Sequence, residues 1–501
     1  MRTWCLSEQN LIRIKKLKTL KQININPYPS EEYTITYNSK EIRNNYKKKK
    51  KVILAGRIIR IRRMGKASFI ELKDKYGIIQ IYISINNFNY EKKIYNLFFK
   101  KLLDIGDIIG IKGYLFKTKK KQISVFAKKI KLLSKCLHTL PNVKIDKSGN
   151  TFDSFSKNEK RHRIKYVDFL VNEEIKHVIL TRIQIITFIR NYLNERNYLE
   201  VETPILQAIP GGAIARPFIT YHNTLKSTFY LRISNELYLK KLLVGGLEKV
   251  YEFSRNFRNE GIDKKHNPEF TILELYISYK DYYWMMKFTE KFLNKICCNI
   301  YQCFTFKVGK QDINFLSPFI DPFQQITFFE ALQIYTGFDL SDTREPEIIK
   351  ICAEINVKID KNMKKGQILD QIFSQKCEKK IIKPTFIIDF PIEMSPLAKK
   401  HRFKNGVSER FELIINGVEI ANSYSELNDP IDQFKRFKQQ IKLYNKIEAE
   451  NMLIDKDFLL SLEYGMPPCT GIGFGIDRLI MLFTNQRNIN DVLFFPTIKI
   501  L

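Results

Sequence analysis

The segment 251–276, YEFSRNFRNEGIDKKHNPEFTILELY, combines charged side chains with the alternation of apolar and polar residues that is typical of β-strands. Its first run carries Arg258 and Glu260, a polar loop with paired lysines follows, and the return run carries Glu274 and Tyr276. A guanidinium on the floor of a sheet can bridge a carboxylate and a phosphate, because it donates hydrogen bonds to both and neutralises their charge. A lone Arg/Glu pair on a strand is usually a surface ion pair, whereas the whole combination is harder to explain in that way.

Alternating glycines mark a second segment, GIGFGIDRLIMLF, at residues 471–483. Gly471, Gly473 and Gly475 remove the side chains from one face of a strand, so a nucleotide could lie against its backbone before a helix begins near Asp477. The spacing differs from the G-x-G-x-x-G of dinucleotide-binding folds.

A third segment places two carboxylates around Asn416-Gly417, a dipeptide favoured in tight hairpins. A two-residue turn pairs Ile414 with Glu419, so Glu412 and Glu419 share one face of the sheet. Two carboxylates on one face can hold Mg²⁺ that bridges the phosphates of ATP. The alternative is a pair of solvent-facing glutamates.

Together these segments resemble the class II aminoacyl-tRNA synthetases. Residues 251–276 resemble motif 2 of that family, residues 471–483 resemble motif 3, and the alternating, proline-ended run 198–204 resembles motif 1, which builds the dimer interface in the family. The resemblance implies an α+β catalytic domain with an antiparallel sheet flanked by helices, ATP as a substrate, and Mg²⁺ held by Glu412 and Glu419.

The resemblance also implies which residues bind ATP. Arg258 and Arg478 are the catalytic residues, on the α-phosphate and the γ-phosphate. The other implied ATP-binding residues are Glu260 on the adenine amino group, His266 toward the phosphates, Phe270 stacked on the base, and Asn267.

Longer matches narrow the resemblance to the bacterial-type lysyl-tRNA synthetases. They are MGKASFIEL, IPGGAIARPFIT, LRISNELYLKKLLVGG, RNFRNEG, HNPEFT, SPLAKK and SELNDP. A site for lysine holds two amines and a carboxylate, so its pocket needs acidic side chains. The implied lysine-binding residues are Glu236 and Gly212 on the α-amine, Glu426 and Tyr276 on the ε-ammonium, Arg258 on the carboxylate, and Glu274, Asn422 and Tyr424 in the lining.

Strand parity conflicts with this assignment. Asn422, Tyr424 and Glu426 would face away from Glu419 on a regular strand, yet the family places all four in one pocket. We therefore predict a β-bulge or break near residues 421–423. The family commonly has glycines at positions 421 and 423 and phenylalanine at 424, where this chain has Ala, Ser and Tyr.

Five strand-like runs between residues 52 and 133, with a predicted helix at 90–103 after the third, favour an OB-fold over the alternative of an SH3-like barrel. The resemblance implies that the barrel binds the U-rich lysine anticodon through Arg62, Phe69 and Gln80. An amphipathic helix at 11–21 precedes the barrel, with Leu11, Ile14, Leu17 and Leu20 on one face.

Three regions follow from these patterns. Residues 1–140 form the N-terminal helix and the OB-fold anticodon-binding domain, residues 141–160 form a linker, and residues 161–501 form the catalytic domain, which opens with a long amphipathic helix around 179–193.

The chain has 501 residues and a formal net charge of +31, from 84 Lys and Arg against 53 Asp and Glu. Such a surface suits a polyanion, although a nucleotide bias toward Lys, Asn and Ile codons would explain much of the excess. The run of lysines at 47–51 is well placed to touch phosphates. Scattered cysteines and the absence of a signal peptide or long apolar run predict a cytoplasmic protein.

The resemblance implies a lysine–tRNA ligase that uses ATP and Mg²⁺, acts on tRNA(Lys) and forms a homodimer. An aspartate or asparagine ligase shares this layout but needs a different pocket from the acidic one formed by Glu236, Glu274 and Glu426. A paralogue that modifies an elongation factor would lack the barrel. A non-catalytic RNA-binding relic would have lost the ATP arginines or the paired carboxylates, and all of them are present.

Overall fold

The computed structural model describes residues 7–64, 67–85, 95–141, 144–145, 151–152, 158–213, 215–301, 305–308, 311–314, 322–360, 363–443 and 454–499. Contacts divide the chain into two compact units, Met1–Asn158 and Glu159–Leu501. Most of the predicted linker and the start of the helix predicted at 90–103 lie outside the described residues, so the extent of the linker stays a prediction.

The N-terminal unit contains the predicted five-stranded barrel. Its strands are β1 (Lys51–Met64), β2 (Ala67–Asp74), β3 (Gly77–Ser84), β4 (Ile108–Lys117) and β5 (Ile123–Ser134). The barrel closes in the order β1-β2-β3-β5-β4, with β1 paired to β4 and β3 paired in parallel to β5. The OB-fold expectation is confirmed, including a helical segment, Tyr95–Leu102, between the third and fourth strands.

Helix α1 (Glu8–Gln22) confirms the predicted N-terminal helix and most of its packed face, because Leu20 is buried and Ile14 and Leu17 are half-buried. Leu11 is exposed, whereas Asn10 and Arg13 are buried. The Arg13 guanidinium donates to the carbonyl oxygens of Ile105, Cys136 and His138, each at 3.0 Å. A fork of hydrogen bonds to three carbonyls thus anchors the helix where the apolar pattern predicted only hydrophobic contact. A short helix, α2 (Ser39–Asn44), follows before the barrel.

The C-terminal unit is built on an eight-stranded sheet. Strand order in this sheet is β16-β17-β18-β19-β20-β13-β12-β8, antiparallel except for the β16–β17 and β12–β8 pairs. Its strands are β8 (Leu199–Glu200), β12 (Lys249–Phe257), β13 (Glu269–Ser278), β16 (Gln324–Thr327), β17 (Thr385–Ile388), β18 (Arg410–Ile415), β19 (Val418–Ser425) and β20 (Cys469–Gly475). The remaining strands of this unit are β9 (Leu206–Gln207), β10 (Ile219–His222), β11 (Ser227–Leu231), β14 (Thr305–Val308) and β15 (Gln311–Asn314), while β6 (Lys144–Ile145) and β7 (Thr151–Phe152) belong to the N-terminal unit.

Helices flank this sheet, as the α+β expectation requires. They are α3 (Asn158–Arg163), α4 (Lys165–Val171), α5 (Glu173–Asn194), α6 (Glu236–Val244), α7 (Tyr282–Tyr301), α8 (Phe328–Thr336), α9 (Glu345–Glu354), α10 (Lys365–Ile372), α11 (Pro430–Leu443), α12 (Lys456–Glu463), α13 (Ile476–Phe483) and α14 (Ile489–Val492). Helices α5, α7 and α13 pack their apolar residues onto one face of the sheet and form the largest core. The candidate site lies on the opposite face of the sheet, over its central strands.

The strand predicted at 198–204 is shorter than expected. Leu199–Glu200 pairs in parallel with Val250 and Tyr251, and the Val201 N–H adds one more backbone hydrogen bond, to the Tyr251 carbonyl at 2.9 Å. The chain then leaves the sheet, because the Thr203 hydroxyl donates to Glu252 at 2.7 Å and its carbonyl accepts from Arg232 at 3.0 Å. Side-chain hydrogen bonds therefore replace the strand ladder. Among the described residues, none of the helices is both long enough and apolar enough to cross a membrane.

Candidate active site

A cavity of about 400 Å³ opens over the central strands of the C-terminal unit. It collects side chains from the hairpin of β12 and β13, from β19 and β20, and from the start of α6. The sequence-predicted residues that line it are Gly212, Glu236, Arg258, Glu260, His266, Asn267, Phe270, Glu274, Tyr276, Glu419, Asn422, Tyr424, Glu426 and Arg478. Glu412 lies beside this lining rather than in it. The structure thus brings the predicted set together, and the individual roles stay predictions.

Arg258 stands just past the end of β12. Its backbone N–H donates to the carbonyl of Pro268 at 2.8 Å, which closes the loop between the two strands. The guanidinium lies over the Phe270 ring, 5.1 Å from its centroid, and its buried Nε has no hydrogen-bond partner. Burial lowers the pKa of Arg258, while the charges of Glu260 and Glu419 oppose that effect. A half-buried cation with a buried, unused donor is poised for an anionic ligand.

Arg478, at the start of α13, belongs to a chain of polar contacts. Its guanidinium donates to the carboxylate of Glu419 at 3.0 Å and lies 3.1 Å from the His266 ring. The other ring nitrogen of His266 contacts Asp263 at 2.9 Å. This chain fixes one wall of the cavity and leaves His266 on the solvent side, so both groups could reach a phosphate that enters there.

The predicted hairpin between Glu412 and Glu419 is confirmed. Asn416 and Gly417 have φ angles of 52° and 67°, the left-handed pair that a tight two-residue turn requires. Ile415 pairs with Val418, and Ile414 pairs with Glu419. The two carboxylates therefore share one face, as expected.

The predicted bulge is present, with its extra residue one position earlier than the range 421–423. Leu413 pairs with Ala421 while Ile414 pairs with Glu419, which leaves Ile420 as the extra residue. Ile420 and Ala421 consequently both point into the core. Because of this parity switch, Asn422, Tyr424 and Glu426 face the same cavity as Glu419.

The chemistry of Glu412 and Glu419 fits a cation. Glu412 pairs with Arg410 at 2.5 Å and accepts from Asn422 at 3.2 Å. Burial, followed by the negative charge of Glu419, raises the pKa of Glu412 to about 8. Two carboxylates that repel each other on one face are the oxygen donors that Mg²⁺ takes in proteins.

The other end of the cavity is acidic. Glu236, Glu274 and Glu426 are all buried. Burial raises the pKa of Glu274 to about 8, with the charge of Glu236 adding to it. Burial likewise raises the pKa of Glu426 to about 8, although Lys240 opposes the shift. Buried carboxylates with raised pKa values favour a cationic ligand.

Two glycines shape this end. Gly212 has a φ of 83°, and a Cβ there would lie 2.9 Å from the Ser234 hydroxyl. A Cβ on Gly471 would collide with the Tyr276 ring and lie 2.6 Å from Glu426 Oε1. Gly212 thus lets its backbone approach the pocket, while Gly471 leaves room for the side chains of Tyr276 and Glu426.

Sequence reasoning missed three residues around the cavity. Arg410 pairs with Glu412, Lys265 donates to the carbonyl of Gly417 at 2.8 Å, and Lys240 contacts Glu236 and Glu426 at 2.6 Å each. The i,i+4 spacing of Glu236 and Lys240 was the one available signal. On a helix it usually indicates an exposed ion pair, so it did not distinguish Lys240 from other lysines of this basic chain.

In the barrel, Arg62 pairs with Phe69 in register, and Gln80 accepts a hydrogen bond from the Ser124 hydroxyl at 2.9 Å. The Phe69 ring lies 5.1 Å from Tyr82. Half-buried rings continue from there across the outer face of the barrel, at Tyr82, Phe116, Phe126 and Tyr114. The predicted Phe69 is thus one of several aromatics on this face, and such faces can stack unpaired bases.

Comparisons with known proteins agree with this geometry. Residues 157–499 match the family described as "tRNA synthetases class II (D, K and N)", and residues 52–133 match the "OB-fold nucleic acid binding domain".

Curated relatives match over nearly the whole chain. A lysine–tRNA ligase of Azobacteroides pseudotrichonymphae is 52% identical over 499 residues, 99% of both chains. Lysine–tRNA ligases of Porphyromonas gingivalis and Christiangramia forsetii are each 50% identical over 99% of this chain and 86% of the relative. With the segments that resemble motifs 2 and 3 gathered around one cavity and the barrel preceding them in the sequence, the chain belongs to the lysine–tRNA ligases of the class II aminoacyl-tRNA synthetase family.

Proposed function

We propose that the cavity binds ATP and L-lysine side by side, that the chain joins them as lysyl-adenylate, and that it then attaches the lysine to tRNA(Lys). The observation that carries this is the position of Arg258. Its half-buried guanidinium, with the unpartnered Nε, lines the same cavity as the acidic end at Glu426 and the wall at Arg478. Bridging an amino-acid carboxylate and the α-phosphate of ATP is the task that such a donor can perform.

On the amino-acid side, the buried carboxylates supply the counter-charge for two amines. Glu236 and the backbone of Gly212 hold the α-amine, and Glu426 with the Tyr276 hydroxyl holds the ε-ammonium. Glu274, Asn422 and Tyr424 line the space between. Aspartate or asparagine would still place an α-ammonium at Glu236, but its side chain would leave Glu426 without a cation, which is costly for buried charge.

On the nucleotide side, the roles follow the order of the motifs. Glu260 accepts from the adenine amino group, Phe270 stacks on the base, and Asn267 helps to shape the loop. His266 and Arg478 contact the phosphates. Glu412 and Glu419 would hold Mg²⁺, which when bound neutralises phosphate charge.

The chemistry is positioning and charge neutralisation. A lysine carboxylate oxygen forms a bond to the α-phosphorus while the bond from that phosphorus to pyrophosphate breaks. The terminal ribose hydroxyl of the tRNA then attacks the lysyl carbonyl, and AMP leaves. Arg258 stabilises the negative charge on the α-phosphate throughout, so neither a covalent enzyme intermediate nor a protein base is needed.

The barrel would bind the anticodon of tRNA(Lys). Its bases would stack at Phe69, and Arg62 and Gln80 would contact their edges. We further propose that the chain acts in the cytoplasm as a homodimer, with the segment after α5 in the dimer interface.

Charging assays with an amino-acid panel test this function. The purified chain, ATP, Mg²⁺ and transcribed tRNA(Lys) are incubated with labelled lysine, aspartate or asparagine, and with an elongation factor as a competing acceptor. We expect label on tRNA from lysine alone. Charging with aspartate or asparagine, or transfer of lysine to the protein acceptor instead of tRNA, would refute the proposal.

A further inference from the structure

Lys240 is a fully buried lysine behind the acidic end of the cavity. It lies one helical turn after Glu236 on α6, with its side chain at 0% exposure. Its Nζ is 2.6 Å from Glu236 Oε1 and 2.6 Å from Glu426 Oε2. One ammonium therefore joins the two carboxylates to which the proposed function assigns the two amines of lysine.

The orientation of this ion triad matters. Glu236 and Glu426 line the cavity, and Lys240 does not. Its ammonium lies between the rings of Tyr424 and Phe458, 5.3 and 6.0 Å from their centroids. Both carboxylate oxygens of Glu426 are buried without a hydrogen-bond partner; Oε2 makes the ion pair with Lys240, and Oε1 has no such contact. Lys240 thus occupies the rear oxygen of Glu426 and leaves the other oxygen for a ligand.

The balance of charges in the pocket explains why a lysine stands at position 240. When a substrate with two ammonium groups draws them into their ionised forms, Glu236, Glu274 and Glu426 place three negative charges around it. The buried Lys240 reduces this excess to two, which equals the two substrate ammoniums, while Arg258 takes the substrate carboxylate. Unmatched buried charge is costly, so the resident cation adjusts the pocket to its ligand.

We propose that Lys240 is a positioning residue for lysine recognition: it holds Glu236 and Glu426 in place from behind, places a positive charge beside both of them, and directs their free oxygens at the two amines. The proposal rests on the proposed function of this pocket. It assigns Lys240 no contact with substrate, so its effect passes through the two carboxylates.

Other titratable groups surround this triad, and each element packed against it contributes some. They are Tyr424 on β19, Glu274 and Tyr276 on β13, Glu252 on β12, and Cys469 on β20, with Lys399 nearby. Burial alone would lower the pKa of Lys240, but Glu236 and Glu426 raise it. Lys240 is therefore the fixed cation of the group, and Glu426 is the carboxyl whose pKa its loss would raise further.

The test measures lysine-dependent ATP–pyrophosphate exchange from about pH 6.5 to 8.5. In Lys240→Met we expect the KM for lysine to rise roughly tenfold or more at pH 7, with kcat and the KM for ATP within about threefold of wild type. Without Lys240, the pKa of Glu426 rises further, so more of this carboxyl is neutral at pH 7. Raising the pH ionises it again, so the deficit should shrink with pH, and Lys240→Arg should recover part of it.

Lys241→Met is the matched control. This neighbour on the same helix pairs with Asp457 at 2.6 Å, away from the cavity, so its loss should leave the lysine KM unchanged. A Lys240→Met pH profile that superimposes on wild type, or a loss of kcat with a normal lysine KM, would overturn the proposal. If Lys240→Met does not fold, the same pH series on Lys240→Gln decides in the same way.

Glu426→Gln separates this inference from the function on which it rests. If Glu426→Gln raises the lysine KM and the Lys240 variants do not, the role of Lys240 is refuted while the pocket stands. If Glu426→Gln also leaves the lysine KM unchanged, the lysine pocket itself is wrongly assigned.

Discussion

At the scale of single residues, Tyr424 is where this chain departs from the phenylalanine common in its family. Its hydroxyl donates a hydrogen bond to Glu236 Oε1, the same oxygen that Lys240 contacts. Burial and the charges of Glu236 and Glu426 raise the pKa of Tyr424, so the hydroxyl keeps its proton and remains a donor. Tyrosine in place of phenylalanine therefore adds a hydrogen bond to Glu236 within the pocket.

Tyr424→Phe should weaken lysine binding slightly. The variant removes one hydrogen bond to a carboxylate that keeps its contact with Lys240, a change of about 1 kcal/mol, or up to roughly fivefold in the lysine KM. Steady-state exchange kinetics check this, with the KM for ATP as the internal control. An increase of a hundredfold or more would mean that Glu236 depends on Tyr424 rather than on Lys240.

At the scale of elements, the site depends on how β19 and β20 are built. The bulge at Ile420 turns Asn422, Tyr424 and Glu426 toward the cavity, and the adjacent β20 contributes Gly471 where Tyr276 and Glu426 need space. The β-bulge at Ile420 and the absence of a side chain at Gly471 together create the acidic end of the cavity.

Gly471→Ala should damage lysine binding more than nucleotide binding. The new Cβ would collide with the Tyr276 ring and with Glu426 Oε1, so we expect the lysine KM to rise roughly tenfold or more. Gly473→Ala is the graded comparison, because its Cβ would lie 3.2 Å from Ile272 Cδ1 and 3.7 Å from Glu274. Exchange kinetics on both variants measure the difference, and equal effects would refute the steric explanation.

The sequence predicted these elements to different degrees, for physical reasons. The Asn416-Gly417 dipeptide predicted the hairpin correctly because the turn type depends on these two residues alone. The bulge could be predicted because a regular β19 would have put residues of one pocket on opposite faces of the sheet. The strand at 198–204 was overestimated because Arg232 and Glu252, which draw Thr203 out of the sheet, lie far along the chain. Lys240 was missed because its burial depends on Glu426, nearly two hundred residues later.

At the scale of the whole molecule, the charge of +31 contrasts with the acidic end of the cavity. Residues 47–51 carry five of the lysines, most of them exposed, where the chain enters β1 of the barrel. Lys50 lies over the Tyr37 ring at 4.1 Å, and the Lys49 N–H donates to the carbonyl of Leu115 at 2.9 Å. The run is thus held against the barrel, on the unit proposed to bind the anticodon.

Replacing all five lysines at 47–51 with glutamine tests whether the run contacts tRNA. Each lost phosphate contact should make the slope of log affinity against log salt shallower by about 0.7 to 0.9. Binding titrations across a salt series measure the slope, with Lys287, Lys291 and Lys295 on the exposed face of α7 replaced as a comparison. An unchanged slope would mean that these lysines make no phosphate contacts with tRNA, and codon bias would then account for the run.

The central claim is that one cavity joins lysine to ATP through Arg258. Lysine-dependent ATP–pyrophosphate exchange, measured for wild type and Arg258→Ala side by side, tests it most directly. We predict robust exchange in the wild type and a loss of at least roughly a hundredfold in the variant, with an unchanged unfolding transition, because the removed donor stabilises charge in the transition state. Near-normal exchange by Arg258→Ala would contradict the account.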